Sequence, residues 1–350
     1  MKNNHFFYKL FHWEYWPSFL FYLPNIPLAL YLAIKAKSPV FFSATNPAIK
    51  NSGNGMESKF DTLQLIPEAL RPKSILVKPT ESYVSIKKRI KDSYIEYPLI
   101  AKPDIGFRGL LVKKINTSED LKNYLANYPI NIIIQEFISL ENECGIFYHR
   151  IPGKNSGVIT SMTLKKYLTV TGDGKSSISE LIQHDNRARI YHEILIPILN
   201  SKIDTVPKLE ENVVLNVIGN HSKGTRFIDG NHLISKQLIQ TIDTIKDQIL
   251  GWNYGRIDLK FKSLKSLEKG EEFKILEING IISEPTHIYD TSKNSYLDAI
   301  KSIADHWKIL YRIATKNHFR YQISYSNTWE FIKEMKALIL YTRIIKRLNL

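Results

Sequence analysis

Gly255-Arg256-Ile257-Asp258-Leu259 and, beyond a charged turn around Lys269-Gly270-Glu271, Ile275-Leu276-Glu277-Ile278-Asn279 decide how this chain is read. Both stretches have the pattern of strands, Gly255 to Phe261 and Phe273 to Ile278. The short polar connection between them predicts an adjacent antiparallel pair. Alternate side chains of a strand share a face, so Glu277 and Asn279 point the same way. Pairing brings Asp258 to them and gives an all-oxygen set of two carboxylates and one amide. Such ligands suit a hard divalent cation that keeps waters and bridges to phosphate. Apolar Ile257, Leu259, Ile275 and Ile278 would hold the opposite face in a core. A polar cluster on a solvated face is the competing reading, and those interleaved apolar residues speak against it.

Upstream, Pro98-Leu99-Ile100-Ala101-Lys102-Pro103 reads as an apolar strand with a lysine emerging at its end. The loop Asp104-Ile105-Gly106-Phe107-Arg108-Gly109 offers backbone amides and a guanidinium before a second strand at Leu110-Leu111-Val112. Lysine, glycine turn and arginine together suit a polyphosphate. Glycine-containing hairpins are common, so the loop says little alone. Beside a separate oxygen-ligand metal site it becomes a nucleotide hypothesis.

The 350 residues are 43% hydrophobic and 23% charged, the composition of a folded protein with room for two or three lobes. One cysteine, Cys144, excludes an internal disulfide framework and fits a reducing, cytoplasmic compartment; it reads as a small buried residue. A net charge of +14 raises nucleic acid, an anionic membrane surface or anionic substrates as partners. The positive charge is scattered, with only short runs such as Lys87-Lys88-Arg89. Neither a zinc-ligand spacing nor the aromatic-basic motif of an RNA-binding sheet is present, so nucleic acid is not expected.

Five segments are expected. Residues 1–37 are aromatic and apolar, 38–85 form an N-terminal lobe, 86–140 a small lobe, 141–318 a large lobe with the metal site, and 319–350 a basic amphipathic helix. In the first, Phe19 to Ile34 is apolar except for Asn25, with Trp13, Tyr15 and Trp16 before it and Lys35 and Lys37 after it, as a headgroup boundary favours. It is short for a span and broken by Pro24 and Pro27, which predicts an interfacial or re-entrant hairpin; a buried hairpin capping the first lobe is the alternative. No cleavable signal peptide is expected. In the second segment a strand-like Pro39 to Ser43 and the loop Asn51-Ser52-Gly53-Asn54-Gly55 precede a helix from Glu57. In the last segment Asn327 is a reasonable N-cap, and Ile332, Met335, Ile339 and Ile345 keep helical spacing among Lys333, Lys336, Arg343, Lys346 and Arg347. That helix suits anionic lipid or its own domain equally.

The order of motifs resembles the ATP-grasp superfamily over roughly residues 60 to 310. Its strands imply an α+β fold in which a nucleotide is held between two α/β lobes. By that resemblance Lys102, with Gly106 and Gly109 of the loop, binds phosphate, and Gln135-Glu136-Phe137-Ile138 is the hinge whose backbone holds adenine. Glu143 falls where a ribose-binding carboxylate is expected, and Asp258, Glu277 and Asn279 match the magnesium (or manganese) set. Gly255-Arg256-Ile257-Asp258 is very similar to the corresponding run of D-alanine–D-alanine ligases, which implies that Arg256 stabilises an oxyanion. Leu168-Thr169-Val170-Thr171-Gly172-Asp173-Gly174-Lys175 is similar to cyanophycin synthetases and fused glutathione synthetases. There a lysine just upstream approaches the terminal phosphates, a role open to Lys165 or Lys166.

The departures fall at the substrate side. The Ser-Pro-Gly turn of D-alanine ligases is replaced by Gly280-Ile281-Ile282-Ser283-Glu284-Pro285-Thr286-His287, so the acceptor site must differ. Glu284 for an amine and His287 for a carboxylate or a proton are candidates there. His221, Lys223 and Arg226 would suit an anionic group, and the run Gly55-Met56-Glu57-Ser58-Lys59, at a helix start, would face the donor, with Glu57 and Ser58 as candidates, or simply cap that helix. The resemblance implies an ATP- and metal-dependent carboxylate–amine ligase working through an acyl phosphate, with Lys102, Arg108 and the metal offsetting phosphate charge. A kinase for a small hydroxyl substrate and a non-catalytic nucleotide-binding module at a membrane are the rivals.

Overall fold

A computed structural model describes residues 12–17, 19–106 and 109–348. The chain runs through α1 (Phe19–Tyr22) and α2 (Ile26–Ala36), then α3 (Lys59–Gln64), β1 (Ser74–Val77), α4 (Tyr83–Asp92), β2 (Leu99–Pro103), β3 (Lys113–Ile115), α5 (Ser118–Asn127) and β4 (Ile132–Glu136). It continues with β5 (Asn142–His149), β6 (Val158–Lys166), β7 (Thr169–Thr171), α6 (Ile178–His184), α7 (His192–Leu199), β8 (Asn212–Val214), β9 (Arg226–Asp229) and α8 (Lys236–Gln248). The last elements are β10 (Tyr254–Phe261), α9 (Leu264–Glu268), β11 (Phe273–Asn279), α10 (Tyr296–Tyr321) and α11 (Thr328–Leu348).

The small lobe is an antiparallel sheet in the order β1-β4-β2-β3. Its helices start on side-chain caps: Ser82 accepts from the N–H of Ser85, and Thr117 with Asp120 forms a reciprocal capping box. Leu99, Ala101, Ile132 and Ile134 alternate along β2 and β4 into a core with Ile86, Ile90 and Leu121 of α4 and α5. The same alternation turns Ile100, Lys102 and Gln135 to the opposite face, toward the large lobe. The expected boundary at residue 85 is therefore corrected: it would cut α4, and the sheet begins at Ser74, because β1 pairs with β4. The strand expected at Leu110 to Val112 is a turn, and pairing begins at Lys113.

The large lobe holds the sheet β11-β10-β5-β6-β9, antiparallel throughout, with α8 packed behind it. Ile257, Leu259, Ile275 and Ile278 lie in that core with Trp252, Tyr148 and Ile242. Each such side chain contributes about 1.5–3 kcal/mol by leaving water, which is what holds the β10–β11 register. A two-stranded sheet, β7-β8, packs with α6 and α7 around Leu168, Ile182 and Leu195.

The hairpin expected at Phe19 to Ile34 is not formed. Helical residues continue from Phe19 to Ala36 with one 3-10 turn at Leu23–Asn25, because Pro24 and Pro27 sit in first-turn positions where no N–H is needed. Phe21, Leu32 and Ala36 face inward; Phe21 packs on Ile303, and Leu32 and Ala36 lie with Leu310 and Ala314 of α10. Phe19, Leu23, Ile26, Leu30 and Ile34 face out, Ile34 being 77% exposed. The strand expected at Pro39 to Ser43 is instead a 3-10 turn, Phe41–Ala44. Beyond it Asn46, fully buried, ties this loop to the large lobe. Its Nδ2 donates to the carbonyls of Ser52 and Tyr254, and its Oδ1 accepts from the N–H groups of Asn253 and Tyr254. Helix α11 docks on the same region, with Lys50 2.8 Å from Glu334 and Phe42 against Phe331, while Trp329 and Leu340 stay exposed.

Candidate active site

Strands β10 and β11 place Asp258 opposite Glu277 and Arg256 opposite Asn279. All four side chains line one cleft of about 380 Å³ between the lobes. Asn279 Nδ2 donates to Asp258 Oδ2 (3.0 Å) and to Glu277 Oε1 (3.2 Å), so both carboxylates converge on a single atom position. Asp258 is only 2% exposed. On its other side β5 offers Gly145 opposite Asp258. A Cβ there would stand 3.0 Å from Arg256 Cδ and 3.1 Å from Asp258 Oδ1, so glycine is what lets the two lie flat on the strand.

Cations surround this acidic centre. Arg256 Nη2 is 2.9 Å from Asp258 Oδ2, Lys165 Nζ is 2.8 Å from Asp258 Oδ1 and from Glu143 Oε1, and Lys59 Nζ is 3.0 Å from Glu277 Oε2. Burial alone would raise the Glu277 carboxyl, but Lys59, Lys102 and Arg256 outweigh it and hold the group well below the usual carboxylate range. Burial likewise works to lower Lys59 and Lys165, and their carboxylate neighbours raise both above the ordinary lysine value. Lys102 is the exception. Its Nζ donates to Gln135 Oε1 at 3.1 Å, and burial brings it down to about 8. Cys144, opposite Leu259 on β10, lies in the core behind the sheet, and burial pushes its thiol up, as expected of an inert structural cysteine.

Asp258, Glu277 and Asn279 would form a hard, all-oxygen donor set were the amide to turn its oxygen inward. Two carboxylates at one position are donors of the kind that suits a magnesium-sized ion with its waters. Among the described residues no three His, Cys, Asp or Glu side chains gather as a metal cluster, so the amide is needed to complete this set.

The structure places the remaining residues as follows. Gly106, Gly109, Gln135, Glu136, Phe137, Ile138 and Glu143 line the cleft. Phe137 lies under Lys114 at 4.3 Å and Lys260 at 5.6 Å, and Glu143 Oε2 accepts from Tyr167 at 2.6 Å. Arg108 lies outside the described residues. Of the two lysines, Lys165 lines the cleft and Lys166 is exposed, because neighbouring residues of β6 face opposite ways. Glu57 and Glu284 also line it. Ser58 does not; its hydroxyl caps α3 by accepting from the Asp61 N–H, and it donates to Asp104. His287 lies beneath the floor, its Nδ1 2.8 Å from Ser161 Oγ, with burial lowering its pKa.

The expected anion group comes apart. Arg226 is exposed on β9, Lys223 does not line the cleft, and His221 does so with its Nε2 2.7 Å from Glu14 Oε2. Glu14 was not foreseen, nor were Trp16, Tyr167 and Tyr289, all near the cleft. Lys59 ends the run from Gly55 expected to face the donor, and it lines the cleft. Glu14 sits in an aromatic stretch whose local pattern says only "apolar segment", and Arg187, 173 positions along, is what seats it at 3.1 Å.

No protein-family model and no curated protein matches this chain. Solved structures similar to it include a bifunctional glutathione synthetase from Pasteurella multocida, at 18% identity over 69% of this chain and 35% of that one, with a TM-score of 0.36. VanG D-Ala:D-Ser ligase from Enterococcus faecalis is 15% identical over 75% of this chain and 64% of its own, with a TM-score of 0.43. D-alanine–D-alanine ligase from Bacillus anthracis is 12% identical over 75% and 71%, with a TM-score of 0.40. The chain thus spans about a third of the first and under two thirds of the second. With each TM-score below 0.5 the likeness carries no argument about activity, and the functional reading rests on this chain's own side chains.

Proposed function

We propose that this chain is an ATP-grasp carboxylate–amine ligase, joining a carboxylate to an amine at the expense of ATP. One observation carries the reading: Asp258, Glu277 and Asn279 converge on one position, opposite Lys102 on the other lobe, across a nucleotide-sized cleft. A substrate carboxylate oxygen attacks the γ-phosphorus, the bond to the β–γ bridging oxygen breaks, and ADP leaves with that oxygen, giving an acyl phosphate. The neutral amine then adds to the acyl carbon and loses a proton, and the tetrahedral intermediate expels phosphate to leave the amide. Lys102 and Lys165 hold phosphate oxygens, the backbone of Glu136 to Ile138 holds adenine, and Glu143 meets the ribose. A divalent ion would be held by Asp258, Glu277 and Asn279 and would supply charge against the phosphates. Arg256, beside Asp258, would face the oxyanion of the tetrahedral intermediate.

The test is a phosphate-release screen of carboxylate and amine pairs with ATP and magnesium, scored by product mass. An amide formed in step with free phosphate supports the ligase. A phosphorylated hydroxyl product means the kinase instead, and no magnesium-dependent ATP affinity ends both readings.

We also propose a peripheral membrane contact. Among the described residues one helical run, Phe19–Ala36, is long and apolar enough to cross a membrane. Its outward stripe, Leu23, Ile26, Leu30 and Ile34, ends at Lys35 and Lys37, a pattern suited to lying on anionic lipid. Sedimentation with anionic liposomes should fall when Leu30 and Ile34 become serine; unchanged sedimentation removes the contact.

A further inference from the structure

We infer that the amine accepted by this cleft is a cationic amine with no carboxylate beside its ammonium, held where Glu284, Tyr289, Glu14 and Trp16 close one end. This rests on the ligase reading. The chain carries +14, yet the described lining of the cleft inverts that sign, with seven Asp and Glu against five Lys and Arg. The five cations are not spread evenly. Lys59, Lys165 and Arg256 engage Glu277, Glu143 and Asp258, Lys102 meets Gln135, and Lys260 donates to the Leu140 carbonyl.

The other end has a different chemistry. The Glu284 carboxylate accepts from the Tyr22 hydroxyl and, at 2.7 Å, from that of Tyr289. The phenols fix its orientation and leave lone pairs on both oxygens. Among the described residues no cation lies within ion-pair distance of this carboxylate; Arg256, whose Nη1 is 3.4 Å from the Glu284 backbone carbonyl, feels its charge only through space. Trp16, Phe227, His221 and Tyr289 add ring faces to the lining, His221 and Tyr289 lying 5.5 Å apart by centroid. A carboxylate and aromatic faces around one recess suit an alkylammonium.

A free amino acid would also need a cation for its own carboxylate, and among the described residues this end has none that is not already engaged. Lys223 and Arg226 do not line the cleft, and His221 is taken by Glu14. Arg187 is engaged by Glu14, the Tyr15 hydroxyl and the carbonyls of Gly224 and Thr225. The anionic group that His221, Lys223 and Arg226 were expected to suit is therefore not what this end would hold.

Calorimetry on the full chain tests this. Binding of a non-hydrolysable ATP analogue with magnesium is measured first, and its absence counts against the ligase reading alone. 1,4-Diaminobutane and glutamate are then titrated, with the analogue bound or without it. The diamine should bind at least about tenfold more tightly than glutamate, and Glu284→Gln should cost it about tenfold or more, as expected for one charged hydrogen bond. Glu14→Gln serves as the second variant and should weaken the diamine in the same direction. Diamine binding no tighter than glutamate, or unchanged in both variants, overturns the inference.

Discussion

Replacing Gly145 with alanine adds one methyl group at the point where three strands meet the acidic centre. Gly145 faces Asp258 on β10 and Thr163 on β6, and its backbone does not require glycine. The new carbon would stand 3.0 Å from Arg256 Cδ and 3.1 Å from Asp258 Oδ1. Ordinary carbon contacts are about 3.5–4.0 Å, so both side chains must retreat by roughly 0.5 Å. They move together, since Arg256 Nε and Nη2 lie 3.0 and 2.9 Å from Asp258 Oδ2. A misplacement of about 1 Å can cost on the order of 10²-fold, so half of it should weaken magnesium-dependent ATP binding or turnover by about tenfold. Folding should barely notice, because alanine in a strand gains about 0.5–1 kcal/mol over glycine and offsets the crowding. The assay pairs a thermal melt with ATP titration at several magnesium concentrations. An alanine variant with native melting and native magnesium dependence would refute the claim that Asp258 and Arg256 must hold these positions.

Arg256→Ala should lower turnover by about 10²–10³ with little effect on ATP affinity, as loss of an oxyanion donor does; a product-formation time course checks it, and an unchanged rate removes that role. Lys102 is held at about 8 by burial, below the ordinary 10.5. Between those values the unfolded chain binds more protons than the folded one, so stability should rise with pH across that window, by about 3 kcal/mol in all. Urea unfolding at pH 7 to 10.5 should show this rise in the natural chain and not in Lys102→Met, and parallel curves would contradict it. Asn46→Ala strands buried backbone groups of Ser52, Asn253 and Tyr254 and should cost about 3 kcal/mol or more; chemical denaturation measures this, and a loss below about 1 kcal/mol would show the knot to be dispensable.

The two strands that carry the acidic centre were legible because period-two alternation is a local signal and the core on one face fixes the other. The same holds for Lys102, whose direction follows from Leu99 and Ala101 being buried, and for the choice of Lys165 once β6 has a register. What the sequence does not carry is long-range seating. Glu14 reads as one acid among aromatics until Arg187 and His221 come to it, and Arg226 reads as a substrate contact until β9 turns it outward. Two prolines argued for a bend at residues 24 to 27, yet their positions within first turns keep the helical run going. Asn46 gave no hint at all, since a buried amide that satisfies two distant backbones has no spacing to find.

The seating of Glu14 and Trp16 has a practical corollary. A worker wishing to make the protein easier to handle would be tempted to trim everything up to residue 37, discarding its greasiest stretch. That shortened version would lack Glu14, Trp16 and Tyr22, and with them one wall of the chamber. Its inertness would report the missing wall and nothing about the intact chain, so serine replacements along the outer stripe are the safer route.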